Sequence, residues 1–233
     1  MSANVHPTGI HHLAVMTGDM KSQIEFFSDV LGCRLVAIFD MHGVPGGIHA
    51  FLELSENCQF SLVQLPETAG VETVIGQTHA GWGGGNAAPG TMQHLAFKAD
   101  SREDLIALRD RIRSRGVNVY GPIDHGMCQS IYFAGPENLT LEVAWSDSAI
   151  EPARWLDASA AAKVGIGADD MANYAAPKAY AGEGGAVPQP PYDPAKPHQA
   201  MDLDRYKQVL AMPDEVLWQM ASYPEPPVKE AAE

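Results

Sequence analysis

Residues 9–32 read GIHHLAVMTGDMKSQIEFFSDVLG and predict a short strand followed by an amphipathic helix. The apolar residues of the helix recur at helical spacing and would form one stripe, at Met20, Ile24, Phe27 and Leu31. Gly32 is placed to end the helix, because glycine readily adopts the left-handed conformation found after a last helical turn. Strand-like runs follow at residues 34–39, 49–54 and 58–65, so this part of the chain predicts a β-α-β-β-β module.

A second copy of this pattern begins about 80 residues later, in the stretch MQHLAFKADSREDL, residues 92–105. There Ser101 and Asp104 form a capping-box pattern at the start of a helix, and Gly116 would end that helix. Strand-like runs follow again, and they occupy residues 117–121, 129–134 and 139–145. The chain therefore contains an internal duplication.

The duplication predicts an α+β fold in which two β-α-β-β-β modules form a cupped mixed sheet. The modules would span residues of about 8–66 and 91–146, within a domain over residues 1–149. Residues 150–233 are predicted to be a C-terminal extension of coil and short helices, because much of this segment is rich in Ala, Gly and Pro. Its many aromatic residues favour packing over the domain or against a partner subunit, and a lid is a third possibility.

The segment between the modules, THAGWGGGNAAPGT at residues 78–91, is too rich in glycine to favour regular structure. Two interpretations are open at this stage. It is either a flexible linker or a loop that covers the mouth of a site.

The composition limits the classes of partner. A formal net charge of -14 argues against a nucleic-acid partner, since phosphate backbones are bound by clustered Lys and Arg. No run approaches the roughly 20 consecutive apolar residues that span a bilayer, so no membrane partner is predicted. The three cysteines have no close pair, and the N-terminus lacks the pattern of a secretory signal, so we predict a cytoplasmic location.

Alternation along the strands places three potential metal ligands opposite the apolar faces. His12 and His94 lie in the first strand of each module, and they alternate with apolar residues that would pack against a helix. Glu142 takes the corresponding side of the last strand, so all three would point into the concavity of the sheet. A lone histidine there is most simply structural, but two at equivalent repeat positions, with a glutamate, predict one metal site. This ligand set suits Fe(II) and also Mn(II) or Zn(II).

These stretches resemble the vicinal oxygen chelate superfamily of glyoxalases, bleomycin resistance proteins, fosfomycin resistance proteins and extradiol dioxygenases. The resemblance covers residues of about 8–146 and rests on 9–32, 92–105 and 130–145. It implies metal ligands on the first and last strands, at His12, His94 and Glu142. It also implies a small-molecule substrate that binds the metal through two neighbouring oxygens, and we predict a homodimer as the assembly.

Residues 123–142, IDHGMCQSIYFAGPENLTLE, are similar to a local signature of the extradiol dioxygenase branch. By that resemblance Tyr132 and His125 would contact the oxygens of a bound catecholate, and His79 would be a further acid-base residue. The structural alternatives are a core aromatic for Tyr132 and loop positions for His125 and His79. The leading hypothesis is a ring-cleaving dioxygenase that uses Fe(II) on a small aromatic diol.

Three other functions use a similar scaffold. Glyoxalase I and methylmalonyl-CoA epimerase resemble each other in carrying a further acidic ligand on the last strand of the first module. Aligning the Glu-Asn dipeptides at 56–57 and 137–138 puts Ser61 opposite Glu142, which argues against this lyase or isomerase chemistry. A fosfomycin-type transferase usually has a basic pocket, which an acidic chain with few lysines near these motifs disfavours. A non-catalytic binding protein on this scaffold lacks the metal ligands that this chain keeps. Both remain alternatives.

Overall fold

The computed structural model describes residues 5–179 and 185–229. Within these residues the two predicted modules follow one another and are succeeded by short helices. The strands are β1 His12–Met16, β2 Arg34–Asp40, β3 Ile48–Ser55, β4 Cys58–Gln64, β5 Leu95–Lys98, β6 Val119–Asp124, β7 Gln129–Ala134 and β8 Thr140–Trp145. The helices are α1 Met20–Glu25, which continues as a π-helical turn over Phe26–Val30, α2 Arg102–Ser114, α3 Pro152–Trp155, α4 Ala158–Lys163, α5 Ala168–Ala175, α6 Leu203–Leu210 and α7 Asp214–Ala221.

The strands form two four-stranded mixed sheets with the same topology. The strand order is β1-β4-β3-β2 in the first sheet and β5-β8-β7-β6 in the second. In each sheet the first strand runs parallel to the last strand of its module, and the other neighbours are antiparallel. The predicted α+β fold of two β-α-β-β-β modules is confirmed.

Both module helices begin and end where the sequence predicts. The side chains of Asp19 and Ser101 each accept a hydrogen bond from the backbone N–H three residues later, at 3.0 Å in both cases. After the helices, Gly32 and Gly116 adopt φ angles of +82° and +78°. A side chain at either position would be strained in that conformation, so glycine ends both helices.

One hydrophobic core lies between the two modules. Phe27 from the π-helical turn, Phe60 from β4 and Phe97 from β5 meet there, with ring centroids 4.3 to 6.1 Å apart. In each sheet, the face that packs against the helix of its own module therefore also faces the shared core. Burial of such side chains stabilises the fold by about 1.5–3 kcal/mol each, so the pairing of the modules through these faces is strongly favoured.

The outer faces of the two sheets consequently point away from each other. Successive residues of a strand project to opposite faces, so the residues that alternate with the core positions lie on the outer face. The outer face of the first sheet carries His12, and that of the second carries Glu142, with His94 just before β5. This arrangement separates the predicted metal ligands into two sets within one chain.

Glu137 joins the modules at the start of α1. Its carboxylate accepts hydrogen bonds from the backbone N–H of Gly18 at 2.7 Å and from Nε2 of Gln23 at 2.8 Å. Burial opposes ionisation of this half-buried group, but these bonds, with one from Thr17, outweigh burial and lower the pKa of Glu137. The φ angle of Glu137 is +53°, which is uncommon for a residue with a side chain, and the bonds to the other module hold it there.

Replacement of Glu137 by Gln is expected to lower the free energy of unfolding at neutral pH by about 1 kcal/mol, because an amide donor would face a donor of the first module. The pKa of Glu137 in the folded protein lies below the ordinary 4.5. Its contribution is therefore present above that pH and is lost as the pH falls through the folded-state pKa. Urea unfolding of both proteins across this range measures the difference.

The matched control for this prediction is Glu56→Gln. Glu56 occupies the equivalent position of the first module and is exposed. It is expected to change the free energy of unfolding by less than about 0.5 kcal/mol. Equal losses in the two variants would contradict a specific role for Glu137.

The helices after the modules fall into two compact units. Helices α3, α4 and α5 belong to the unit formed by residues 7–177, together with the modules. Helices α6 and α7 lie in the other unit, which includes residues 178–179, 185–229 and 5–6. Together with α3, α4 and α5, they confirm the short helices that the sequence predicts for the C-terminal extension. Of the described helices, none combines the length and apolar character needed to cross a membrane.

Candidate metal centre and substrate cavity

His94 and Glu142 lie in direct contact in the second module. The parallel pairing of β5 with β8 sets Ala96 opposite Glu142, which brings the end of β5 beside the carboxylate. Nε2 of His94 is 3.0 Å from Oε2 of Glu142, and Glu142 is only 5% exposed. A buried carboxylate is costly unless it is paired or binds a cation. The structure therefore brings together two of the three predicted ligands.

His12 lies on the outer face of the first sheet, away from that pair. Its Nδ1 is 3.0 Å from Nδ1 of His11, and its ring lies 6.5 Å from that of His49 and 5.5 Å from that of Phe51. Throughout residues 5–179 and 185–229, no group of three His, Cys, Asp or Glu side chains is placed to hold a metal ion. One chain by itself thus does not assemble the predicted set of three ligands.

Ser61 is the structural counterpart of Glu142. Ser61 pairs with Ala14 across β1 and β4, and Glu142 pairs with Ala96 across β5 and β8. Each alanine lies two residues after the histidine of its module. Ser61 is fully buried, and its hydroxyl donates to the carbonyl of Leu13 at 3.3 Å. The position of a further acidic ligand is therefore held by a neutral, structurally engaged side chain.

Tyr132 and His125 form a hydrogen-bonded pair beside the carboxylate. Tyr132 on β7 is directly opposite Glu142 on β8. Nε2 of His125, at the turn after β6, lies 2.9 Å from the Tyr132 hydroxyl. Burial and the negative charge of Glu142 raise the pKa of Tyr132, so its hydroxyl keeps its proton at neutral pH.

His94 and the hydrogen-bonded pair of His125 and Tyr132 line a cavity of about 300 Å³. Its wall includes the polar groups of His94, His125 and Tyr132 and the rings of Trp82 and Tyr120. Residues 81–84 line one side, so part of the glycine-rich segment between the modules forms a wall of this cavity. Of the two interpretations of this segment, a loop over the site is the one the structure favours.

His79 lies elsewhere. It lines a different cavity, of about 710 Å³, together with Asp19 and Glu137, and its Nδ1 is 2.9 Å from the hydroxyl of Thr78. Of the three predicted catalytic residues, the structure places Tyr132 and His125 with His94 and Glu142, and it does not place His79 there.

Sequence reasoning missed three residues around this cavity. Gln93 contacts both His94 and the glycine-rich segment. Trp82 and Tyr120 are the aromatic residues that line the cavity beside Tyr132. A signal for Trp82 existed, since a single tryptophan in a run of glycines is unusual in a linker. Gln93 directly precedes a predicted ligand, but nothing in the local pattern shows which backbone groups its amide meets.

Comparison with known proteins identifies the family. The model of the Glyoxalase/Bleomycin resistance protein/Dioxygenase superfamily matches residues 9–143, more than half of the chain. The chain belongs to this superfamily. The resemblance to vicinal oxygen chelate proteins is thereby confirmed, whereas the extradiol branch is not singled out, since the family unites glyoxalases, bleomycin resistance proteins and dioxygenases.

The similar proteins carry names that indicate different activities. A lactoylglutathione lyase of Pseudomonas aeruginosa is 27% identical over 150 residues, which cover 57% of this chain and 80% of the lyase. The fold is also similar to that of a mutant fosfomycin resistance protein, FosX, of Listeria monocytogenes, in complex with Mn(II) and 1S,2S-dihydroxypropylphosphonic acid. That match has a TM-score of 0.43 and 15% identity, and it covers 64% of this chain and 99% of FosX. A lactoylglutathione lyase from Agrobacterium tumefaciens gives a TM-score of 0.40 and 19% identity, with coverage of 60% and 94%.

Proposed function

We propose that this protein is a metal-dependent enzyme that binds a small substrate through two neighbouring oxygens, and that its reaction is extradiol-type cleavage of an aromatic diol. One observation carries the proposal: the hydrogen-bonded pair of His125 and Tyr132 opens on the same cavity as His94, whose imidazole contacts the buried carboxylate of Glu142. An acid-base pair beside a candidate metal centre is the arrangement that activation of a diol needs.

The donor set fits a divalent metal ion. A carboxylate that is 5% exposed and has an imidazole nitrogen at 3.0 Å supplies one hard and one borderline ligand. With His12 as the third ligand, the set is two histidines and one glutamate, for which we propose Fe(II), with Mn(II) or Zn(II) as alternatives. Such an ion supplies Lewis acidity to the substrate oxygens and, as Fe(II), a centre for redox chemistry with O2.

We infer that His12 reaches this set from a second copy of the chain. His12 lies on the outer face of the first sheet, beside the rings of His49 and Phe51. Met16, further along the same face of β1, is 51% exposed, so apolar surface on this face is open to solvent. A homodimer in which this face covers the cavity of the other copy would bury the apolar side chains and complete two identical sites.

The residues of the second module have distinct tasks toward a diol. Tyr132 can donate its hydroxyl proton to one substrate oxygen, and His125, 2.9 Å from that hydroxyl, can take up a proton that the diol releases. Trp82 and Tyr120 present aromatic surfaces to the cavity, which suits a flat ring. A volume of about 300 Å³ is at the small end of ligand sites, so a single-ring compound is the expected size.

The test is oxygen uptake by protein loaded anaerobically with Fe(II) and then mixed with catechols in air-saturated buffer. Uptake of one O2 per diol consumed, together with a visible ring-opened product, is the expected result. A fully loaded protein that binds catechols without oxygen uptake would reject ring cleavage.

A second candidate function is a glyoxalase-type isomerisation. The 27% identity to a lactoylglutathione lyase favours it, whereas the neutral Ser61 at the counterpart of Glu142 argues against it. Turnover of the methylglyoxal–glutathione hemithioacetal by protein loaded with Zn(II) or Mn(II), without oxygen uptake on catechols, would select this reaction instead.

Replacement of Tyr132 by Phe is expected to lower kcat for the diol about 100-fold, because it removes the only hydroxyl proton that the pair contributes. The KM is expected to change less than kcat, since the aromatic ring and its packing remain. Tyr120→Phe is the matched control, because the Tyr120 ring lies 5.6 Å from that of Tyr132 and the residue is 62% exposed. Similar losses of kcat in the two variants would contradict a proton-transfer role for Tyr132.

A further inference from the structure

Gln93 connects the glycine-rich wall of the cavity to the candidate metal ligand next to it. We call residues 81–85 the glycine loop. Nε2 of Gln93 donates to three carbonyls of this loop, those of Trp82 at 3.2 Å, Gly83 at 2.9 Å and Gly85 at 3.3 Å. A single side-chain amide therefore binds the backbone of three of the five loop residues.

The other end of the amide meets His94. Oε1 of Gln93 lies within hydrogen-bond distance of Nδ1 of His94. Carbonyl oxygens only accept, so the three loop carbonyls require the nitrogen of the amide, and the oxygen must then face the imidazole. Nδ1 of His94 is consequently the donor, which leaves Nε2 as the ring nitrogen that faces Glu142 at 3.0 Å.

The glycine loop has a specific shape rather than the freedom of a linker. A Cβ atom at Gly84 would lie 2.6 Å from the Trp82 ring, so the indole folds back closely over the loop backbone. A Cβ atom at Gly85 would lie 2.0 Å from the carbonyl oxygen of Ala80. The backbone of Ala80 thus excludes a side chain at Gly85, and a side chain at Gly84 would require the indole of Trp82 to move.

The loop also lines the same cavity as the proposed proton-transfer pair. A Cβ atom added at Gly83 would lie 3.7 Å from the ring of Tyr132, so only a small side chain would fit between the loop and that ring. The loop therefore faces Tyr132 across a narrow space, and it is bonded through Gln93 to His94.

We propose that Gln93 is a positioning residue that couples the glycine loop to the metal site, an inference that rests on the proposed function. The same amide orients the imidazole of His94 and fixes the wall that carries Trp82. Metal binding at His94 and the position of the loop that these hydrogen bonds fix therefore stabilise each other, and this coupling is reciprocal. An aromatic substrate that stacks on Trp82 is bound more tightly when the metal is present.

Two substitutions at Gln93 separate its two functions. Gln93→Leu removes both the donor to the loop and the acceptor for His94. Gln93→Glu keeps an acceptor for His94 but presents a carboxylate to the loop carbonyls, which repel it. Gln129→Leu is the matched control, because Gln129 is bonded to Arg102 and Asp124 and not to the loop.

The measurements are Zn(II) affinity, by competition with a chromophoric chelator, and the fluorine-19 NMR signal of 5-fluorotryptophan at Trp82, assigned with Trp82→Phe. We expect Gln93→Leu to weaken Zn(II) binding about 10- to 100-fold and to shift the Trp82 signal in the metal-free protein. We expect Gln93→Glu to shift the Trp82 signal while Zn(II) affinity stays within about threefold of the wild type. In the wild type, Zn(II) should move the Trp82 signal, and in Gln93→Leu it should not.

An unchanged Trp82 signal in Gln93→Leu, or equal effects of Gln93→Leu and Gln129→Leu, would overturn the coupling. Failure of the wild type to bind Zn(II) would reject the proposed metal site alone. In that case His94→Ala decides the coupling in the metal-free protein: a shift of the Trp82 signal supports it, and no shift overturns it.

Discussion

Replacement of Glu142 by Gln is expected to abolish turnover and to weaken metal binding by at least about 100-fold. Even the loss of a partner that only orients a ligand typically costs 10- to 100-fold in metal affinity, and in the proposed site Glu142 binds the ion itself. The amide has nearly the shape of the carboxylate, so the packing of this buried position is kept while its charge is lost. Metal content after anaerobic loading, together with oxygen uptake on catechols, measures both effects.

The control for this prediction is Ser61→Ala. Ser61 holds the equivalent position of the first module and is equally buried, but it donates to a backbone carbonyl rather than facing a histidine. We expect Ser61→Ala to keep its metal content and activity within about twofold of the wild type. Full metal content in Glu142→Gln, or its loss in Ser61→Ala, would show that the ligands have been assigned to the wrong strand.

The fold was predictable because two independent periodicities agree in both halves of the chain. Helical spacing marks the stripe of α1 and that of α2, which is formed by Leu105, Leu108 and Ile112. In the strands, apolar residues at every second position mark the core face. The repeat then fixes which strands correspond, and the Glu-Asn dipeptide sets their register closely enough to place Ser61 opposite Glu142. The observed pairing of Ser61 with Ala14, and of Glu142 with Ala96, confirms that alignment.

The relation between the modules was not predictable from the same patterns. Alternation shows that one face of each sheet is apolar, but both modules have such a face, and the pattern does not show which surfaces meet. In the structure the helix-covered faces share one core around Phe27, Phe60 and Phe97. This pairing is what leaves His12 on one side of the modules and Glu142 on the other.

Around the cavity, too, some side chains could be predicted from the sequence and others could not. His125 and Tyr132 were predicted because a local signature fixes them along the chain relative to Glu142. His79 was predicted from its distance along the chain to His94, and the fold of the segment between them carries it to another cavity. Gln93 was missed because its partners are carbonyl groups of a loop, and their positions depend on turns at glycines rather than on the residues beside Gln93.

Mixed dimers are expected to recover activity that neither parent variant has. If His12 of one copy completes the site of the other, neither the His12→Ala homodimer nor the Glu142→Gln homodimer contains a site with all three ligands. A heterodimer of the two variants has both defects in one site and an intact second site. It should therefore bind about half the metal of the wild-type dimer and show about half its activity.

The experiment uses two affinity tags, coexpression of the two variants and purification through both tags. The matched control is the heterodimer of His94→Ala with Glu142→Gln, because each of its sites lacks a ligand whichever copy supplies His12. Recovery in the first heterodimer and none in the second is the result that a shared site requires. No recovery in either would mean that each chain gathers its own ligands, which would require the modules to part from the core that Phe27, Phe60 and Phe97 form. Because that core is common to both sheets, we expect the shared site.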